Sequence, residues 1–208
     1  MTTKPPASEP NSHWHQGWLH SHDAAYAVTH LASPNFGPRP AGACIDLAVV
    51  HSISLPPGEF GTGAVQRLFT NQLDWDAHPY FQSIRGLEVS AHFFITRSGQ
   101  LWQFVDCERR AWHAGVSSYR GRERCNDDSI GIELEGLEGS GFEAAQYACL
   151  ATLCHTLAAR YPIAHIAGHE HIAPGRKHDP GSGFSWGYLQ QALAWPIERF
   201  PATVLQNS

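Results

Sequence analysis

Leu47, Ala48, Val49 and Val50 form a run without a polar residue, and it ends in His51. A run of this kind reads as a strand buried within a sheet that delivers a polar side chain at its tip. Pro56 and Pro57 bar the segment SISLPPGEFG from continuing as a central strand, so the chain leaves the sheet directly after the histidine. Sites are usually built on loops at strand ends. A strand is therefore expected over residues 45–51, with His51 at the mouth of whatever the protein uses.

Other segments extend this sheet. SIGIELE, Ser129–Glu135, places Ile130, Ile132 and Leu134 on one face and Gly131, Glu133 and Glu135 on the other. Residues 87–96 and 100–107 read as two strands of a hairpin turning at Arg97, Ser98 and Gly99. Residues 163–167 read as a further strand. The clearest helix covers 143–160, with Tyr147, Leu150, Leu153, Cys154, Leu157 and Ala158 spaced by three or four and Tyr161-Pro162 closing it. Shorter helices are expected over 64–73 and 188–194. Residues 71–84 read as a long aromatic loop. Residues 17–40 read as an irregular surface strap in which His20, His22 and His30 are ordinary exposed residues. Strands and helices that mix without strict βαβ alternation predict an α/β fold, a single domain with a central mixed β-sheet flanked by helices.

The length, 208 residues, fits one domain. Hydrophobic residues at 42% against charged residues at 16% make the chain a compact globular protein, not a disordered one. A net charge of −5 argues against nucleic acid or an anionic membrane as partner. The first sixteen residues hold neither a secretory apolar run nor a membrane span, so a cytoplasmic location is expected. Five cysteines, an odd number without a CxxC pair, fit reduced and mostly buried thiols.

The chemistry concentrates in residues 168–181, GHEHIAPGRKHDPG, with three histidines, a lysine and an aspartate between glycine turns. His169 offers nitrogen and Asp179 oxygen. With His51 they make the three-ligand set, one position open, of a hydrolytic metal ion. Lys177 and Asp179 stand two apart, so in an extended loop both face one pocket while His178 faces away. A cation beside a metal suits an oxyanion that forms between them. Metal-assisted hydrolysis also needs a base, and Glu133 and Glu135 are equal choices by pattern. His92, inside a strand, reads as a hydrogen-bonded structural residue. Trp112 and His113 in AWHAG could wall a sugar or peptide, and Arg120, Arg122 and Arg124 could grip substrate carboxylates.

Four segments, VVHSISLPPGEFG, VSAH, RAWHAGVSSYRGRERCNDDSIGIELEG and GHEHIAPGRKHDPG, closely resemble the AmpD-type N-acetylmuramoyl-L-alanine amidases. These are relatives of phage amidase lysozymes and of peptidoglycan-recognition proteins. The resemblance runs from about Gly17 to Leu193. It implies a Zn²⁺ amidase domain over 17–196, between an N-terminal extension (1–16, expected to be flexible) and a tail (197–208). It implies His51, His169 and Asp179 as ligands, in agreement with the residue-based choice. It also singles out Glu133 as the catalytic carboxylate and Lys177 as the carbonyl-polarising lysine, with Trp112, His113 and Arg124 in the muropeptide-binding wall. Some relatives carry Cys where Asp179 stands, and the aspartate matches the cytoplasmic recycling branch. The implied substrate is a 1,6-anhydro-N-acetylmuramyl peptide, cleaved between lactyl group and L-alanine. A lytic amidase acting on intact peptidoglycan and a non-catalytic muropeptide-binding module are the alternatives.

Overall fold

The structure is a computed structural model that describes residues 14–20 and 27–202. Its centre is a six-stranded mixed sheet. In chain order the strands are β1 (Val28–His30), β2 (Leu47–Ile53), β3 (Phe93–Ile95), β4 (Leu101–Gln103), β5 (Ser129–Glu135) and β6 (His165–Gly168). Their spatial order is β6-β2-β5-β3-β4-β1. β6, β2, β5 and β3 are parallel, β4 is antiparallel to β3, and β1 runs parallel to β4. The helices are α1 (Ala64–Phe69), α2 (Pro79–Ser83), α3 (Ala144–Arg160), α4 (His169–Ile172) and α5 (Trp186–Leu193). This is the mixed sheet with flanking helices that the sequence predicts.

Alternation along the strands sorts the two faces. Ala48, Val50, Phe93, Ile95, Ile130, Ile132 and Leu134 join one core with Leu150, Leu153 and Leu157 of α3 and Leu189 and Leu193 of α5. Phe94, from the opposite face of β3, packs with Ala64, Val65, Leu68 and Phe69 of α1 and Phe81 of α2. α3 opens with a capping box between Glu143 and Gln146, which satisfies backbone donors at both positions. Its apolar stripe then lies flat on the sheet.

Several sequence expectations need correction. Residues 71–84 are not loop throughout: α2 forms there, with the His78 side chain accepting from Tyr80 N and a proline at its first turn. The hairpin strands are three residues each: in the next pair of the same register Phe104 N still donates to His92 O, but His92 N turns to Gly131 O, so the return bond of that pair is not made. The strap over 17–40 is not all surface. β1 adds to the edge of the main sheet, Leu19 is buried, and Phe36–Pro38 pairs with Arg109–Ala111. His30 is exposed, His20 is half-buried, and His22 lies outside the described residues. So do residues 1–13, most of the expected N-terminal extension. At the other end, Phe200 falls in the predicted tail yet is 1% exposed and packs into the main core. All five cysteines are free thiols, four of them buried and Cys44 exposed.

Candidate metal centre

Parallel pairing brings the site together. In the β2–β5 register His51 lies directly beside Glu133, so the two side chains leave the sheet on the same face. In the β2–β6 register Gly168 lies beside Val50, which brings His169, the next residue, level with His51 as the chain turns into α4. The loop after α4 returns Asp179, held by a hydrogen bond from Glu170 N to Asp179 O. Gly168 is required here, since a Cβ on it would lie 2.7 Å from Pro180 Cδ. These are the carboxyl ends of parallel strands, where α/β sheets commonly bind ligands.

His51 Nδ1 is 3.0 Å from His169 Nδ1 and 3.1 Å from Asp179 Oδ2, and the third side of the triangle is 3.2 Å. All three side chains are buried. Tetrahedral ligands with bonds of about 2.0–2.1 Å stand roughly 3.3 Å apart, so this spacing suits a small ion. The charge distribution suits one as well. His169 Nε2 reaches the Ala114 carbonyl oxygen at 3.1 Å. A carbonyl only accepts, so Nε2 holds the proton and Nδ1 presents a lone pair to the Asp179 carboxylate. Two electron-rich atoms in buried contact call for a cation between them. Burial pushes the His51 imidazole down to about 4. Two imidazoles and one carboxylate form a donor set for a divalent ion.

The two carboxylates of β5 separate cleanly. Glu135 accepts from the backbone N–H groups of Gly61 and Arg97, so its oxygens are engaged in structure. Glu133 Oε2 is buried with no hydrogen-bond partner among the described residues. Burial, and then the negative charge of Asp179, raise the Glu133 carboxyl well above its usual range, with Lys177 opposing. Glu133, His169, Lys177 and Asp179 line one cavity of about 420 Å³, and His178 is not among its lining residues. The rest of that lining includes Leu55, Phe69, Tyr80, Ile84, Leu87, Val89 and Trp112. His51 lies beneath this lining, 1% exposed. Of the chain's two lysines, Lys4 and Lys177, only Lys177 lies in the described residues.

The arginine segment behaves differently from its sequence reading. Arg122 is paired with Asp46 and Asp128, Arg124 with Asp127, and Arg120 lies over the Tyr119 ring and donates to Glu198 O. None of the three lines the cavity. Trp112 and His113 do line it, but His113 is 8% exposed and its ring reaches His51. His92 is hydrogen-bonded, as expected of a structural histidine: Gly131 N donates to its Nδ1, and its Nε2 meets Arg109 O. Sequence reasoning passed over Asn126 and Arg176. Asn126 Oδ1 accepts from the N–H groups of His113 and Ala114, and Arg176 donates to Ala114 O. Their only sequence signal is membership of the motifs that carry the site residues.

The N-acetylmuramoyl-L-alanine amidase family matches residues 41–182 of the chain. Over 181 residues the chain is 50% identical to the 1,6-anhydro-N-acetylmuramyl-L-alanine amidase AmpD of Salmonella typhimurium strain SL1344, covering 86% of this chain and 94% of that one. It superposes on a crystal structure of a selenomethionine AmpD derivative with a TM-score of 0.80 at 49% identity, over 86% of this chain and 98% of that one. The Escherichia coli amidase AmiD, solved with the substrate anhydro-N-acetylmuramic acid-L-Ala-D-gamma-Glu-L-Lys, aligns at 30% identity with a TM-score of 0.52, over 74% of this chain and 60% of that one. With half of its residues shared along nearly the full length of such an enzyme, the chain belongs to the N-acetylmuramoyl-L-alanine amidase family, in its AmpD-type branch.

Proposed function

We propose that the protein is a zinc-dependent amidase that cleaves the bond between the lactyl group and L-alanine of 1,6-anhydro-N-acetylmuramyl peptides. The observation that carries this reading is the triangle of His51 Nδ1, His169 Nδ1 and Asp179 Oδ2 beside a cavity lined by the unpartnered Glu133. The substrate class is supported by the names of the AmpD relatives and by the anhydro-muropeptide held by AmiD. The same resemblance supports a cytoplasmic place in peptidoglycan recycling. No helix among the described residues is long and apolar enough to cross a membrane.

Zinc held by His51, His169 and Asp179 would supply a Lewis acid that polarises a carbonyl and brings water's acidity to a pKa of about 7. The protein's own groups do the rest. Glu133 takes a proton from the attacking water and returns it to the leaving amine. Its environment suits both halves: burial and Asp179 strengthen its hold on a proton, while Lys177 keeps the ionised form accessible. The Lys177 ammonium stands at the cavity wall to stabilise negative charge developing on the carbonyl oxygen. Trp112, Tyr80 and Ile84 give the sugar and its acetyl group an apolar wall and exclude water from the reacting bond.

Turnover compared on a soluble anhydro-muropeptide and on whole sacculi, each with and without a chelator, tests this reading. Chelator-sensitive cleavage of the soluble substrate, with little release from sacculi, is the expected result. Preferential release from sacculi would make the protein a lytic amidase, and binding without turnover would make it a recognition module. Asp179→Ala is expected to lose bound zinc, and a zinc content equal to wild type would remove Asp179 from the ligand set.

A further inference from the structure

The hydrogen bonds around His113 can be solved from one end. Ser129 Oγ donates to the Cys125 carbonyl oxygen, which can only accept. What Ser129 Oγ offers to His113 Nε2, 3.1 Å away, is therefore a lone pair. In a neutral imidazole this puts the His113 proton on Nε2 and leaves Nδ1 as the acceptor. His51 Nε2 lies 2.9 Å from that Nδ1, so it donates there. The lone pair of His51 is then on Nδ1, facing His169 and Asp179.

The neighbouring residue does the same for the second imidazole, since Ala114 O accepts from His169 Nε2. Asn126 Oδ1 holds both backbone N–H groups of this step, at 3.1 Å for His113 and 2.8 Å for Ala114. Two consecutive residues, pinned by one amide, thus set both nitrogen donors from behind. The His113 ring also needs a bare floor. A Cβ on Gly131 would lie 2.4 Å from its Cγ, so glycine at 131 leaves room for the ring rather than for an unusual backbone.

We propose that His113 is a positioning residue of the metal centre, holding the His51 ring in the tautomer and orientation that present Nδ1 to the ion. This rests on the metal reading above and departs from a role for His113 as substrate wall. Outer partners of this type orient metal-bound imidazoles and raise their basicity.

The test is the zinc dissociation constant, read by competition with a chromogenic chelator at fixed pH, with circular dichroism to follow folding. His113→Leu keeps bulk and loses the acceptor, and is expected to bind zinc about 10- to 100-fold more weakly. His113→Asn offers Oδ1 near the position of Nδ1 and is expected to regain most of that loss. Wild-type affinity in His113→Leu, or no recovery in His113→Asn, would overturn the proposal. A raised KM for muropeptide at unchanged zinc affinity would overturn it too, returning His113 to the substrate wall. Should His113→Leu fail to fold, Ser129→Ala carries the test, since it removes the group that fixes the His113 tautomer. A loss of about 2- to 10-fold, the scale of one ordinary hydrogen bond, supports the proposal and an unchanged affinity overturns it. Wild-type protein that takes up no zinc is a separate result, and it would defeat the metal reading itself.

Discussion

The two faces of β5 share one backbone and one set of ladder hydrogen bonds, yet they hold opposite kinds of chemistry. Toward α3 it presents Ile130, Ile132 and Leu134, all fully buried among apolar partners. Toward the cavity side it presents Gly131, which seats an imidazole, Glu133, whose Oε2 is buried without a hydrogen-bond partner among the described residues, and Glu135, which ties down two loops. Each apolar side chain on the first face contributes about 1.5–3 kcal/mol by leaving water. A buried polar group without a hydrogen bond on the second face costs on the order of 1–3 kcal/mol. The difference teaches that stability and reactivity are separated by residue parity along a single strand. The helix-covered face supplies the margin on which the strained electrostatics of the other face rest.

The sharpest way to break this comparison is Glu133→Gln. Turnover is expected to fall about 10²- to 10⁴-fold, the scale of a lost general base. Thermal stability should hold or rise, because a buried group that resists ionisation is replaced by a neutral one. A melting temperature that drops together with turnover would show that Glu133 also serves structure. Ile132→Ala should give the reverse signature. A stability loss of about 2–5 kcal/mol in urea unfolding is expected, with turnover per folded molecule unchanged. A loss of turnover in protein that is still folded would couple the two faces.

The smallest effect concerns acid. His92 is fully buried, and burial with the nearby Arg39 charge pushes its imidazole down to about 3 from the ordinary 6.5. Below about 6.5 the unfolded chain takes up a proton that the folded chain refuses. The stability associated with neutral His92 is therefore complete above that value and is lost as pH falls toward about 3. His92→Gln removes this group, so with a chelator present its stability should decline less steeply from pH 6 to pH 4, by about 1.4 kcal/mol per pH unit. Parallel slopes for the variant and wild type would mean that His92 does not take part in the acid response.

Much of this was legible in the sequence wherever the pattern is local. SIGIELE alternates without interruption, and the strand has those bounds. The apolar spacing through α3 recurs over several turns, and that helix forms within one residue of expectation. His51 was readable because an apolar run ends at it, and His169 because residues 168–181 concentrate three histidines, a lysine and an aspartate between glycines. What escaped was decided by partners remote in the chain. The charge of Arg122 is met by Asp46, 76 residues away, so a basic cluster in sequence is a paired one in space. His113 does line the cavity beside its tryptophan neighbour, but the bond of its ring to a residue 62 positions earlier had no local signal. β1 and α2 are too short to announce themselves by periodicity, and they form because the main sheet and the Phe94–Phe104 core give them something to pack on.

Lys177 leaves one practical consequence. Arginine fills every other permanently cationic side-chain position among the described residues, and reagents selective for primary amines pass over guanidinium groups. Apart from Lys4 and the amino terminus, acylation or reductive methylation would therefore mark a single point on the protein, at the lip of the reaction chamber. A spectroscopic label introduced by that route would report on substrate arrival without any engineered cysteine.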